Sequence, residues 1–450
     1  AAAEAAWEST LGRVELEGRN EDDFRIFYTA LYHSLLMPTL AMDVDGSYRG
    51  FDGEVHLAEG FRYYTDFSLW DTFRTQHPLL TLLYPEWQED MLASLLAMGR
   101  DGGFMPRWPL GSGYTGGMVG DSTNIVFADS MKKGLRNVDV ATAYAQMRIT
   151  AMGPTPEGAG FQGRPGIEDY LSLGYVPIED GGWSASKTLE YAYADFALSH
   201  IAEQAGEADE AAALLARAGN WRNLLEPETG FLLGRNADGS FPSVTPTQWE
   251  DYYAEGNALQ YSWYAPHDLS ALAEATGGRE RFLERLTDFF ERSDATAYNP
   301  VIPAQYYWHG NEPDIHASWI FSALDQPADS ARWVRWVLDR HYSSAPDGLP
   351  GNDDAGTLSA WCVFSSLGFF PIAGTDEYLL GSPLFSRATV HLANGDLVIE
   401  APNASEAHLY PASVVLNGTP VERAQLRHDA LAGATLEFDL TVEATRWATR

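Results

Sequence analysis

Fifteen residues from Trp249 to Trp263 set three carboxylates (Glu250, Asp251, Glu255) and two amides (Asn257, Gln260) among five aromatic rings. A plain surface segment has little use for so many rings. A plain core segment cannot bury so many carboxylates without compensation. The mixture suits a carbohydrate cleft, where ring faces stack on sugar C–H surfaces and amides or carboxylates bond hydroxyls. A half-buried carboxyl in such a place has its pKa raised, which fits it to protonate a leaving oxygen.

Three more acid-bearing loops stand out. In Tyr64-Thr-Asp-Phe-Ser-Leu-Trp-Asp-Thr-Phe-Arg74, the residues Trp70, Asp71 and Arg74 offer a stacking ring, a hydroxyl acceptor and a fork of donors. The plainer alternative is a helix start capped by Asp71, with Arg74 pairing it. In Tyr306-Tyr-Trp-His-Gly-Asn-Glu-Pro-Asp-Ile-His316, Pro313 pushes Glu312 towards an extended backbone and gathers Asn311, Glu312 and Asp314 before a helix. Oxygen-rich, thiol-free loops suit Ca²⁺ rather than Zn²⁺, although Asp314 also fits a simple cap. In Pro346-Asp-Gly-Leu-Pro-Gly-Asn-Asp-Asp-Ala-Gly356, Asp353 and Asp354 stand side by side, and two adjacent unscreened carboxylates repel one another. Nucleophile and nucleotide motifs are absent: there is no Gly-x-Ser-x-Gly elbow, Walker loop or His-Glu-x-x-His helix. Among the histidines, His267 and His309 lie beside acidic loops, and both read as hydrogen-bonding wall residues rather than bases.

These loops need helices to hold them. Apolar residues recur at helical spacing over 22–38, 77–100, 137–152, 184–205, 208–224, 257–276, 280–292, 314–325, 329–342 and 355–370. Gly- and Pro-rich connections such as Gly160-Phe-Gln-Gly-Arg-Pro-Gly166 separate them. The pattern predicts a toroid of helical hairpins with a site at one end. From about residue 375 it changes to alternation around Asn394-Gly395 and Asn417-Gly418, with Thr435–Val442 continuing it, which predicts strands and hairpins. The expected division is therefore 1–374 helical and 375–450 a small β module.

Composition narrows the partners. The chain has 450 residues, 45% hydrophobic and 13% aromatic, and a formal charge of −34 that is spread along its length. That charge disfavours nucleic acid and anionic membranes, and no apolar run approaches the roughly 20 residues of a membrane span. A single cysteine, Cys362, excludes an intrachain disulfide and a thiolate metal cage. The start, Ala1-Ala-Ala-Glu, carries no basic and apolar leader, so any signal peptide is expected to be already removed or never present.

The four loops, with Phe27-Tyr-Thr-Ala-Leu-Tyr, Asp43-Val-Asp-Gly-Ser-Tyr, Leu173-Gly-Tyr-Val-Pro and Lys187-Thr-Leu-Glu-Tyr-Ala-Tyr, run in the order found in glycoside hydrolase family 92, and the chain resembles its catalytic part. The resemblance implies a mainly α fold, an (α/α)6 barrel with a small C-terminal all-β module. It implies a calcium-dependent exo-α-mannosidase that inverts the anomeric centre. By residue it implies Glu255 as general acid and Asp354 as general base, with Asp353 or Asn352 holding the water. Trp70, Asp71, Arg74, Asn257, Trp308 and His309 are expected on the substrate, and Gln260, Asn311 and Glu312 around Ca²⁺. Glu250 is the alternative acid.

The implied substrate is an α-mannoside oligosaccharide or glycan, α-1,2-linked mannose of N-glycans or mannans first, and the implied setting is bacterial and secreted, periplasmic or cell-surface. Family members carry an N-terminal β-sandwich, expected here as a separate or removed segment. The competing readings are another linkage or a mannosyl phosphodiester, a non-catalytic carbohydrate-binding protein, and a different (α/α)6 enzyme such as a trehalase-like hydrolase or a glycoside phosphorylase.

Overall fold

The computed structural model describes residues 2–158, 161, 163–296 and 303–450, so Gly160 and Gln162 of the predicted Gly160–Gly166 loop lie outside the described residues. Glu21–His33 forms a helix because Asn20 accepts the Asp23 amide at 2.9 Å and three acids occupy the first turn, where the helix dipole favours them. The predicted helix over 77–100 is two, Gln76–Leu83 and Pro85–Gly102, since Pro85 cannot continue the first but starts the second well. The predicted helix over 257–276 is likewise interrupted: Ala258–Tyr261 and Leu269–Ala275 flank a 3₁₀ turn that begins at Pro266.

Two helices carry the centre. Ser184–Ala205 is buried on nearly all sides and packs against Thr123–Lys132, Val140–Ala151 and Ala208–Arg217. Every residue of Thr357–Leu367 is buried, and this helix lies against Glu21–His33. A helix apolar all round belongs inside a helical toroid, and the molecule is an (α/α)6 barrel with a β-rich C-terminal segment. Among the described residues no helix is long and apolar enough to cross a membrane.

The barrel contains a largely buried charge knot. Arg164 donates to Asp121 at 2.8 Å and to Asp195 at 2.7 Å, and Arg217 closes on both oxygens of Asp195 at 2.7 and 2.6 Å. Tyr170, Asn124 and Thr150 supply further donors to the two acids.

In the C-terminal segment, Arg387–Val390 pairs with Leu397–Glu400 around the predicted Asn394-Gly395 turn, and Tyr410–Leu416 with Thr419–Pro420 around Asn417-Gly418. Thr435–Thr441 lies between them, antiparallel to one and parallel to the other, with Leu436, Phe438 and Leu440 inward. A strand outside the predicted segment completes the sheet: Val14–Glu17 pairs with Arg387–Val390, Val14 opposite Val390. Helix Pro327–His341 rests on Tyr410–Leu416, so the strands share the barrel's core.

Candidate active site

A cavity of about 1130 Å³ opens at one end of the barrel. Its walls come from all four acid-bearing loops, including Trp70, Asp71, Glu255, Trp308, Asn311, Asn352 and Asp354. The volume is slightly above the usual ligand range of about 300–1,000 Å³, room for more than one sugar ring. Further walls are Trp108 and Met118, the helix face Ile26, Thr29, Ala30 and His33, and the segment from Tyr342 to Leu349, which leads into the fourth acid-bearing loop.

Three carboxylates meet at its floor. Ligand oxygens of Asp71, Glu312 and Asp354 all lie within 4.8 Å of one another. Asp71 and Glu312 are 5% and 1% exposed, and neither oxygen of Glu312 receives an N–H or hydroxyl donor among the described residues. Burial is the main force raising all three pKa values, with mutual repulsion adding to those of Asp71 and Glu312 and Asp353 adding to that of Asp354; Asp71 reaches about 7. An orphaned buried carboxylate beside two others forms an all-oxygen donor set that fits a hard divalent cation. A dipositive ion there would pull these pKa values back down.

Glu255 stands on the adjoining wall, half-buried. Burial raises its pKa, the Asp354 charge raises it further, and hydrogen bonding from Asn311 opposes both. Asn311 also donates to the Glu255 carbonyl at 2.8 Å, tying the acid's loop to the Glu312 loop. Glu255, Asp354 and Ala355 all adopt left-handed backbone, with φ of 51°, 45° and 58°. Met118 and Trp183 at the same end do so too, at 50° and 67°. Left-handed non-glycine residues cost about 1–2 kcal/mol each, and such strain gathers where a fold must aim a side chain.

Two loops interlock beneath the acids. A Cβ on Gly310 would stand 2.5 Å from the Pro350 carbonyl oxygen, and one on Gly351 would stand 2.5 Å from that of Gly310. Only glycine permits that approach.

Several expectations need correction. Gln260 is no cation ligand: its amide nitrogen donates to the Ala304 and Tyr306 carbonyls at 2.9 Å, and its oxygen accepts the Asn257 amide. Asn257 does not face a sugar either; its side chain caps Ala258–Tyr261 in a capping box and donates to Gln305. His309 is fully buried between the Tyr307 and Tyr342 hydroxyls, at 2.5 and 2.8 Å. The Tyr342 hydroxyl donates to Leu358, so it takes the Nε2 proton of His309, whose Nδ1 accepts from Tyr307.

Arg74 lies behind Trp70 rather than in the cavity, bonded to Tyr264, Glu190 and the Trp70 carbonyl. It therefore does not pair or contact what Asp71 faces; Ser68, not Arg74, donates to Asp71. The Asp353 carboxylate accepts from the Ser359 amide and hydroxyl at 2.9 Å, which orients the turn carrying Asp354. Asp314 accepts the Trp308 amide at 3.1 Å and shapes its own loop. Glu190 was overlooked: one oxygen accepts from Trp70, Tyr264 and Arg74. The available signal was a carboxylate inside the apolar run Leu189-Glu-Tyr-Ala-Tyr.

Comparison with known proteins gives a consistent picture. Residues 1–442 match the glycosyl hydrolase family 92 catalytic domain. The family GH92 α-mannosidase BT3965 of Bacteroides thetaiotaomicron is 34% identical with a TM-score of 0.91, over 99% of this chain and 59% of that one. The family GH92 inverting mannosidase BT2199 of the same organism is 34% identical with a TM-score of 0.91, over 100% of this chain and 63% of that one. BT3965 with mannoimidazole superposes with a TM-score of 0.92 at 32% identity, over 99% of this chain and 60% of that one. An uncharacterized secreted glycosidase of Arthroderma benhamiae is 26% identical, covering 99% of this chain and 57% of the relative. The chain thus spans about three fifths of the length of these proteins.

Proposed function

The chain belongs to glycosyl hydrolase family 92, and from that premise we propose that it is the catalytic part of a calcium-dependent, inverting exo-α-mannosidase. The observation that carries the reading is Glu255, a half-buried carboxyl with a raised pKa, on the wall of a cavity whose floor holds ionisable Asp354. An inverting glycosidase needs one carboxyl protonated beside the leaving oxygen and a second, ionised, to take a proton from the attacking water. Glu255 gives its proton to the leaving oxygen. Asp354, the most accessible of the three floor carboxylates, receives the water's proton, and Asp353, held by Ser359, fixes the turn that aims it.

Asp71 and Glu312, with Asn311 beside them, would hold Ca²⁺; the orphaned oxygens of Glu312 support this. When bound, the ion supplies a positive centre for sugar hydroxyls. Trp70, Trp308 and Trp108 line the space for the ring. The substrate proposed is a terminal α-linked mannose of N-glycans or mannans, α-1,2 first. A secreted setting is supported by the name of the Arthroderma relative.

The test is mannose release from α-linked mannobioses followed by proton NMR. The initial product should be β-mannose, activity should vanish with chelator and return with Ca²⁺, and α-mannose as the first product would sink the inverting assignment.

A further inference from the structure

Glu255 borders two spaces rather than one. Beside the main cavity lies a groove of about 400 Å³ that shares Glu255 and Trp249 with it and is otherwise walled by Gly182, Trp183, Glu250, Asp251 and Tyr253. We propose that this groove seats the leaving group and that it selects a neutral, hydroxyl-bearing sugar against a phosphate. The inference rests on Glu255 being the proton donor.

The direction follows from the chemistry. In an inverting displacement the water and its base stand on one face of the sugar and the departing oxygen on the other. The leaving group must therefore extend past Glu255, away from Asp354. Glu255 lines the groove and Asp354 does not, as that requires, whereas the segment from Tyr342 to Leu349 lines the cavity that Asp354 also lines.

The walls suit a sugar. Trp249 is 44% exposed, an unusual state for so large a ring, and sits 6.2 Å from Trp308 at an angle of 47°. The two indoles stand where groove and cavity meet, with face left to stack on a pyranose. Trp183 opposite is held at φ 67° by its amide, which donates to the Asp251 carbonyl at 2.7 Å. Strain kept in a bulky residue at a site's edge is the mark of a side chain aimed for use.

The same walls disfavour an anion. Glu250 and Asp251 both line the groove, and neither is ion-paired among the described residues. Their oxygens accept from hydroxyls, while a phosphate would meet two like charges besides Glu255. Glu250, the alternative acid from the sequence, is thus outside the main cavity and on the leaving-group side.

The experiment measures kcat/KM of the Ca²⁺-loaded protein, W249A and the double variant E250Q/D251N. The substrates are α-mannosyl fluoride, whose leaving group is one atom, the best-cleaved α-mannobiose, and methyl α-mannosyl phosphate. W249A is expected to lower the mannobiose-to-fluoride ratio about tenfold or more. E250Q/D251N is expected to raise the phosphodiester-to-mannobiose ratio about fivefold or more. A parallel fall on fluoride and mannobiose in W249A, or native cleavage of the phosphodiester as good as that of mannobiose, overturns the assignment of the groove. Failure of the native protein to cleave even the fluoride overturns the proposed function, and the groove assignment with it.

Discussion

Asp121 and Asp195 meet Arg164, Arg217 and a ring of neutral donors, whereas Asp71, Glu312 and Asp354 meet chiefly one another. Both groups are buried in the same barrel. In the first, each negative charge has a guanidinium in hydrogen-bonding contact, an arrangement that locks helices together. In the second, Arg74 spends its donors on Tyr264, Glu190 and a carbonyl and reaches Asp71 and Glu312 only through its field. A fold that can neutralise buried acids as thoroughly as the knot does has left the floor of the cavity uncompensated. The difference separates acids that hold the protein together from acids kept ready for a ligand.

The comparison breaks first at Glu255. Glu255→Gln should lower kcat/KM on unactivated mannosides about 10³-fold and on substrates with good leaving groups far less. An equal loss on both would remove Glu255 from the role of acid. Arg164→Met tests the other pole: it strands Asp121 and part of Asp195, and should cost about 3–5 kcal/mol in urea unfolding while leaving any response to Ca²⁺ in place.

Glu312→Gln should do the reverse. Native protein at a Ca²⁺ concentration a hundred times its Kd should gain about 2.7 kcal/mol over protein in chelator, and the variant should gain nothing. In chelator the variant should match or exceed the native melting temperature, because one repelling charge has gone. A Ca²⁺-induced rise that survives in Glu312→Gln would place the ion elsewhere.

The smallest expected effect concerns buried bases. Burial lowers His77 to about 4, and one of its ring nitrogens has no partner among the described residues. Between that value and an unfolded value near 6.5 the unfolded chain binds a proton that the native one refuses. Stability is therefore full above pH 6.5 and falls as pH drops, by about 2 kcal/mol at pH 5 for this residue alone. His77→Leu should flatten the difference between unfolding midpoints at pH 7.5 and 5.0 by that amount.

Much of this was legible. Helical periodicity and the Asn-Gly turns indicated the fold class, because both signals are local. The acid-rich loops stood out because Gly, Pro and neighbouring carboxylates have few purely structural uses together. Gln260 and Asn257 misled for a local reason as well: Asn257-Ala-Leu-Gln260 has the spacing of a capping box, which accounts for both amides without any ligand. Arg74 and His309 misled because the facing partners, Glu190 and Tyr342, come from distant segments. The strand Val14–Glu17 escaped for the same reason, since its partner is Arg387–Val390.

The contact between Gly310 and Gly351 has a bearing on how such a protein can change over generations. Two loops that touch backbone to backbone cannot accept a side chain one at a time, so neither glycine has a single-step neighbour in sequence space that keeps the floor intact. The loops carrying Glu312 and Asp354 should pass through evolution, and through any laboratory library, as one linked unit. Variation in what the enzyme cleaves is then left to walls free of that linkage, exposed Trp249 among them.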